Sequence, residues 1–190
     1  DIDCNKGLKM PNWCQNQVTL RHADSREIER AIAALGRGEL LNEFCPCPEE
    51  LRSENTGFAN AEVKADRVAK YGYESWFDWS VAHWGTKWDV GGEHCGYAEY
   101  TEHVVVMDFD SAWAPPLAAL KHFETLGFEV KILYDEPGMG FCGWYVTGGV
   151  NEDFSYTDIN AEDAAKQIPE EIDETFGIVE DRKSTRLNSS

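Results

Sequence analysis

The stretch Glu102-His-Val-Val-Val-Met-Asp-Phe109 decides the fold of this chain. Its three consecutive valines favour a strand that is covered on at least one face. After it, Pro115-Pro116 marks the first turn of a helix, and Gly127 ends that helix. Residues 128–134 then alternate as a second strand, and residues 140–150 follow as its return strand. This half of the chain therefore predicts a strand, a crossing helix and a hairpin.

The N-terminal half predicts a similar unit that carries an insertion. Residues 16–22 alternate as a strand, and a capped helix follows them. Residues 59–70 and 73–84 are predicted helices within an insertion at about 37–85, and residues 86–90 alternate as a further strand. The order predicts an α+β fold, a split βαβ antiparallel sheet with helices on one face and a helical insertion after the first helix.

The two ends of the chain differ from the rest. Residues 181–190 match the translation of a sequencing-adapter oligonucleotide, so we interpret them as an artefact of metagenomic sequencing and expect no stable packing against the core. Residues 1–9 precede Met10-Pro-Asn-Trp-Cys14, which has the form of a natural start, and we interpret them as translated leader. The prediction is a single domain over residues 10–180.

The net charge of −18 limits the kinds of partner. Such a charge opposes direct nucleic-acid binding and contact with anionic membranes, and it favours a protein partner with a basic surface. The sequence has no signal peptide and no apolar stretch long enough to cross a bilayer. It therefore predicts a protein of the cytoplasm of a host bacterial cell, and it does not determine the oligomeric state.

The six cysteines are scattered and lack the paired spacing of a zinc site. This pattern is typical of reduced thiols in a cytosolic protein rather than of a disulfide scaffold. The sequence therefore predicts no metal and no cofactor.

An aromatic cluster surrounds the end of the second predicted helix of the insertion. It has two interpretations, a platform on which a ligand stacks or a hydrophobic mini-core, and the mini-core is favoured because a stacking platform for nucleic acid needs cations that this acidic chain lacks. The cluster contains four tryptophans: Trp76, Trp79, Trp84 and Trp88.

Lys87 lies between two of these tryptophans and is a candidate functional cation in an acidic chain. The alternative, which is favoured, is an ion pair with Asp89, Asp78 or Glu136 that fixes the loop.

A second turn completes the candidate site. Glu136-Pro-Gly138 is interpreted as a hairpin turn and, alternatively, as an anion cradle. Gly143, in the return strand, is interpreted as a bulge or a site of close approach. No catalytic motif is present, so no catalytic residue is assigned and a non-enzymatic role is favoured. The candidate binding residues are Trp84, Thr86, Lys87, Trp88, Asp89, Glu136 and Gly138.

Four local patterns carry a resemblance to a known family. They are Met10-Pro-Asn-Trp-Cys-Gln-Asn-Gln-Val-Thr-Leu20, Trp76-Phe-Asp-Trp79 with Trp84-Gly-Thr-Lys-Trp-Asp-Val90, Phe109-Asp-Ser-Ala-Trp-Ala-Pro-Pro116, and Tyr134-Asp-Glu-Pro-Gly-Met-Gly-Phe-Cys-Gly143. Together they resemble the YubB/Api-type family of phage and plasmid proteins. The resemblance implies a ferredoxin-like domain and a mobile-element setting, and it implies no reaction.

Three functional hypotheses follow from the sequence. The first is an accessory protein of a phage, prophage or plasmid that binds a host or element protein. The second is a small-ligand-binding protein or enzyme with a pocket between the loop at 84–89 and the turn at 136–138. The third, direct nucleic-acid binding, requires a local positive patch.

Overall fold

A computed structural model describes residues 12–52 and 60–187, so the leader predicted at residues 1–9 lies outside the described residues. The strands are β1 (Trp13–Arg21), β2 (Gly96–Thr101), β3 (Val104–Ala112), β4 (Glu129–Glu136), β5 (Phe141–Val146) and β6 (Val150–Ser155). The helices are α1 (Ser25–Arg37), α2 (Leu40–Phe44), α3 (Glu49–Arg52), α4 (Ala61–Tyr71), α5 (Trp76–Trp84), α6 (Leu117–Thr125), α7 (Ala161–Gln167), α8 (Glu170–Phe176) and α9 (Ile178–Leu187).

The six strands form one antiparallel sheet in the order β2-β3-β1-β4-β5-β6. Strand β1 lies inside the sheet, where Val18 pairs with Met107 of β3 on one side and with Ile132 of β4 on the other. These three side chains are buried and belong to one core, because side chains at paired positions point to the same face. The predicted mixed α+β architecture with an antiparallel sheet is confirmed.

The main core lies between one face of the sheet and the helices α1, α2, α5 and α6. Its aromatic centre is formed by Phe44, Phe123 and Phe128, whose ring centroids lie 4.8 to 5.7 Å apart. Contacts of this kind between buried rings add to the stabilisation from apolar burial. Helix α5 reaches this core through Trp79 and Trp84, which are almost completely buried.

The prediction that helices lie on one face of the sheet is wrong. A second core joins Leu133 and Cys142, on the opposite face of β4 and β5, to Ala164, Ile168 and Ile172 near the C-terminus. The physical reason is that β4 is buried on both faces, so Leu133 needs cover of its own. Helices α7 and α8 supply it with their apolar sides.

The prediction of a strand at residues 86–90 is also wrong. Those residues form bends without a sheet partner, and the outer strand next to β3 is β2. Gly91 has a φ of 112°, and a Cβ there would lie 2.1 Å from the Leu35 backbone oxygen. The chain therefore turns against the end of α1 instead of running along the sheet.

The expectation that residues 181–190 make no stable packing is wrong at Arg182. Its guanidinium donates to the backbone oxygens of Ile159 (2.9 Å) and Tyr156, and it lies 4.9 Å from the centroid of the Tyr156 ring. Helix α9 also begins with the buried residue Ile178. The origin of the segment in an adapter stays a prediction.

Candidate functional site

Two of the candidate residues hold the loop of residues 84–90 in place. The Trp84 indole Nε1 donates to the Cys45 backbone oxygen at 2.8 Å, and the Thr86 hydroxyl donates to the Ala112 backbone oxygen at 2.8 Å. Both side chains are buried. Because their polar groups are already paired within the protein, Trp84 and Thr86 fix the position of the loop.

Asp89 caps helix α2 across a sequence separation of more than forty residues. Its Oδ1 accepts from the backbone N–H groups of Leu41 (2.7 Å) and Val90 (2.8 Å), and its Oδ2 accepts from that of Asn42 (3.0 Å). The N–H groups of Leu41 and Asn42 are ones that a helix start leaves unpaired, and a carboxylate there is also favoured by the helix dipole. Burial raises the pKa of the Asp89 carboxyl, while the three N–H donors act in the opposite direction.

Lys87 lies among aromatic rings instead of in the predicted ion pair. Its Nζ is 4.4 Å from the ring centroid of Trp88, 5.1 Å from that of Trp113 and 5.8 Å from that of Phe77. Within the described residues the ammonium forms no salt bridge and donates no hydrogen bond to Asp89, Asp78 or Glu136. The attraction of a cation to these ring faces is therefore what holds Lys87.

These rings belong to an exposed group that we call the aromatic patch, which consists of Trp13, Phe77, Trp88, Trp113 and Lys87. The four aromatic side chains retain between 37% and 45% of their accessible surface. They form two contacting pairs, since the centroids of Trp13 and Trp88 lie 5.9 Å apart and those of Phe77 and Trp113 lie 6.2 Å apart. The favoured mini-core interpretation therefore applies to Trp79 and Trp84 and is wrong for Trp88.

The backbone of Trp113 is in a conformation that bulky residues rarely adopt. Its φ is 69°, and it is the one non-glycine residue with a positive φ in the part of the chain that the structure describes. Its N–H donates to the backbone oxygen of Asn12 at 2.9 Å, which fixes the turn after β3. Strain of this kind persists only where the surroundings impose it, and such positions cluster at functional sites.

We expect Trp113→Gly to be more stable than Trp113→Ala by about 1 kcal/mol, because only glycine adopts a positive φ without a steric cost. Both changes remove the ring, so the difference between them isolates the backbone. Urea denaturation of the two variants measures it. A more stable alanine variant would contradict the strained conformation.

A cavity of about 350 Å³ lies beside the patch, between the end of α1, helix α3, helix α5 and the loop of residues 84–90. We call it the tryptophan cavity. It brings together Trp84, Lys87, Trp88 and Asp89 from the predicted site, whereas Thr86, Glu136 and Gly138 are not among its lining residues. The other members that matter below are Arg37, Arg52, Trp76 and Ser80.

Glu136 and Gly138 lie close to the Asn12 side chain, outside the tryptophan cavity. Glu136 is fully buried, and its Oε2 accepts from the backbone N–H of Met139 at 2.5 Å. A Cβ at Gly138 would lie 2.6 Å from the Asn12 side chain and 2.8 Å from Glu136 Oε1. Glycine is required at position 138, as expected of a tight turn, because a side chain there would collide with Asn12 and Glu136. The turn supports Trp113 through Asn12, whose backbone oxygen accepts the Trp113 N–H.

A titratable group that the sequence did not single out is Asp135. Burial raises the pKa of its carboxyl to about 6, although the hydrogen bond from the Tyr156 hydroxyl, at 2.5 Å, acts in the opposite direction. This contact ties β4 to the residues that follow β6. Elsewhere, Cys14, Cys45, Cys47, Cys95 and Cys142 are free thiols.

Over residues 12–52 and 60–187, no group of three or more His, Cys, Asp and Glu side chains is arranged to hold a metal ion. In the same part of the chain, no helix combines the length and apolar character needed to cross a membrane.

Three members of the aromatic patch, Trp13, Phe77 and Trp113, were not predicted as site residues. They come from β1, from α5 and from the turn after β3, so no local pattern in the sequence connects them. The one available signal was the residue type of Trp13 and Trp113, since tryptophan is usually largely buried and an exposed cluster of large apolar side chains often marks an interaction surface.

No protein-family model and no curated protein matches the chain. Among solved structures, it is similar to the crystal structure of a protein api92 from Yersinia pseudotuberculosis, of family DUF1281. The TM-score is 0.46 and the identity is 12%, over 79% of this chain and 99% of that chain. A likeness this weak establishes neither a family nor a function.

Proposed function

We propose that the protein is a non-enzymatic binding module that docks a protein with a basic surface through the aromatic patch. The observation that carries the proposal is the patch itself, two contacting pairs of aromatic side chains that are linked by Lys87 and retain 37% to 45% of their accessible surface. Exposed apolar clusters of this kind mark interaction surfaces, and tryptophan is enriched among the residues that dominate binding energy.

The patch is suited to binding because it is already ordered. Lys87 is held by three rings, and its neighbours in the loop are anchored by Thr86 and Asp89. A surface that is rigid before binding loses little conformational entropy when the partner arrives. Affinity then comes from desolvation of the rings.

The charge of the chain favours a basic partner. A net charge of −18 attracts a basic surface over long range and accelerates the encounter. At short range, arginine side chains stack on tryptophan faces through cation–π contacts. The partner that fits therefore presents arginines for Trp13 and Trp113, and an acceptor oxygen for the Lys87 ammonium.

The fold and setting of this module are part of the proposal. We infer a ferredoxin-like split βαβ arrangement, supported by the strand order β2-β3-β1-β4, with α1 after β1 and α6 between β3 and β4. The motifs that resemble the YubB/Api-type family support an accessory protein of a phage, prophage or plasmid, acting in the host cytoplasm.

The test is capture from bacterial lysate by the protein and by the variant Trp13→Ala/Trp113→Ala. We expect a specific basic partner to be retained by the unaltered protein and to bind the variant at least about tenfold more weakly. Quantitative mass spectrometry of the captured proteins, followed by titration of the purified partner, measures the difference. Raising the salt concentration should weaken binding further.

The matched control is Tyr97→Ala/Tyr100→Ala. These two tyrosines form another exposed aromatic pair, on β2, with ring centroids 6.4 Å apart. The control should bind the partner as the unaltered protein does. Equal capture by the patch variant, or the absence of a specific partner at moderate salt, would overturn the proposal.

A further inference from the structure

We propose that the tryptophan cavity binds a small organic anion that carries a planar ring. The ring lies against the tryptophans of the cavity, and the anionic group is held by Lys87 and Arg52. This site is distinct in function from protein docking by the aromatic patch, although the two share Trp88 and Lys87. A volume of about 350 Å³ is within the range that small-ligand pockets occupy.

Cations are concentrated in this cavity, in a chain that is otherwise strongly acidic. Among the described residues that line it, three are cations, Arg37, Arg52 and Lys87, and two are carboxylates, Glu39 and Asp89. Arg37 is neutralised by salt bridges to Glu39 and Glu43. Lys87 and Arg52 then stand against Asp89 among the described lining residues, which gives the cavity a local excess of positive charge while the whole chain carries −18. The charge distribution therefore favours an anion at this position.

The two carboxylates are already engaged. Both oxygens of Asp89 accept backbone N–H groups at the start of α2, and Glu39 forms a salt bridge with Arg37 at 3.3 Å. Lys87, by contrast, donates no hydrogen bond within the described residues. An ammonium carries three N–H donors, and rings alone cannot accept them as an oxygen does. The geometry thus leaves Lys87 able to bind an incoming carboxylate or phosphate.

The cavity also offers flat apolar surface. Three tryptophans line it: Trp84 is almost completely buried, Trp76 is half-buried and Trp88 is exposed. Planar rings stack on such surfaces, and each stacked ring contributes substantially to affinity. Ser80 donates its hydroxyl hydrogen to the Trp76 backbone oxygen at 2.7 Å, which leaves its oxygen available to accept a hydrogen bond from the ligand.

The ligand is small because a polymer is disfavoured. A nucleic-acid strand extends many phosphates over a surface of net charge −18, and each phosphate outside the cavity is repelled. A molecule with one anionic group keeps its charge within a few ångströms of Lys87 and Arg52, where the attraction is strongest.

Isothermal titration calorimetry with defined probes tests the proposal. Adenosine 5′-monophosphate and indole-3-acetate carry a ring with a phosphate or a carboxylate, adenosine lacks the anion, and inorganic phosphate lacks the ring. We expect at least one of the two ring-bearing anions to bind with a Kd below about 1 mM, and adenosine and phosphate to bind at least about tenfold more weakly. The stronger of the two anionic probes identifies the preferred group.

Variants locate the site. Lys87→Met and Arg52→Gln should each weaken the better probe by about tenfold, since each removes one charge-assisted contact. The matched control is Lys121→Met, because Lys121 also lies over an aromatic ring, that of Tyr145, at 5.3 Å. It should bind the probe as the unaltered protein does. Failure of both ring-bearing anions to bind, or equal binding of adenosine, or unchanged binding by Lys87→Met, would overturn the proposal.

Different variants test the docking of a partner by the aromatic patch and the binding of an anion in the tryptophan cavity. Trp13→Ala removes a patch residue that neither lines the cavity nor contacts Lys87, so it should reduce partner capture and leave probe binding largely unchanged. Arg52→Gln lies outside the patch and should reduce probe binding alone. Loss of probe binding in the Trp13→Ala variant would contradict a separate cavity site.

Discussion

Asp89→Ala is expected to lower the free energy of unfolding by about 3 kcal/mol, because it removes the acceptor of three backbone N–H groups at once. The N–H groups of Leu41 and Asn42 at the start of α2 then lose their partners, and so does that of Val90. The loop that carries Lys87 and Trp88 loses its attachment to α2. Both partner capture and probe binding should therefore fall together. Urea denaturation followed by tryptophan fluorescence measures the stability.

Two further variants make this result specific. Asp89→Asn keeps one oxygen acceptor and should lose roughly half as much stability. Asn60→Ala removes an exposed helix cap that accepts one N–H, from Val63 at 2.9 Å, on a helix with no buried residues. That control should cost about 1 kcal/mol or less. A loss for Asp89→Ala no larger than for Asn60→Ala would show that Asp89 does not fix the loop.

The role of Asp89 illustrates what the sequence could predict about the site. The pattern around residues 84–89 singled out a loop that lies beside the tryptophan cavity, because a lysine between tryptophans is unusual in an acidic chain. It did not distinguish structural from exposed members. Asp89 and Thr86 are satisfied by backbone groups far away in the sequence, at α2 and at Ala112, and such contacts leave no local pattern.

The fold was predictable where strands bury one or both faces. Strands β1, β3 and β4 combine apolar residues in patterns that follow from their burial, and their existence was predicted. Strands β2 and β6 were missed. Their side chains are mostly exposed, since both strands lie at the edges of the sheet, so the apolar alternation that marks a strand is weak there. Whether a strand lies at an edge depends on the assembled sheet, so the sequence of that strand alone does not show it.

Gly143→Ala is expected to destabilise the protein by about 3 kcal/mol or more. Gly143 in β5 pairs with Tyr134 in β4, and the buried Tyr134 side chain passes over it so that its hydroxyl donates to Asp153 of β6. A Cβ at this position would lie 2.4 Å from the Tyr134 hydroxyl oxygen and 2.4 Å from the Glu152 backbone oxygen. The close-approach interpretation of this glycine is confirmed.

Neither of the two groups that the added methyl group would meet can move away without a further loss of stability. Moving Tyr134 away breaks the hydrogen bond to Asp153 and opens a cavity, while moving the backbone of Glu152 breaks the pairing of β5 with β6. Gly96→Ala is the matched control, because this strand glycine has no atom within 4 Å of its Cβ position, and it should change the free energy of unfolding by less than about 1 kcal/mol. Tyr134→Phe separates the steric cost from the cost of the hydrogen bond, since it removes only the hydrogen bond to Asp153 and should lower the free energy of unfolding by about 1 kcal/mol. Equal urea midpoints for Gly143→Ala and Gly96→Ala would mean that Tyr134 does not cross β5, and that the three outer strands are held together in some other way.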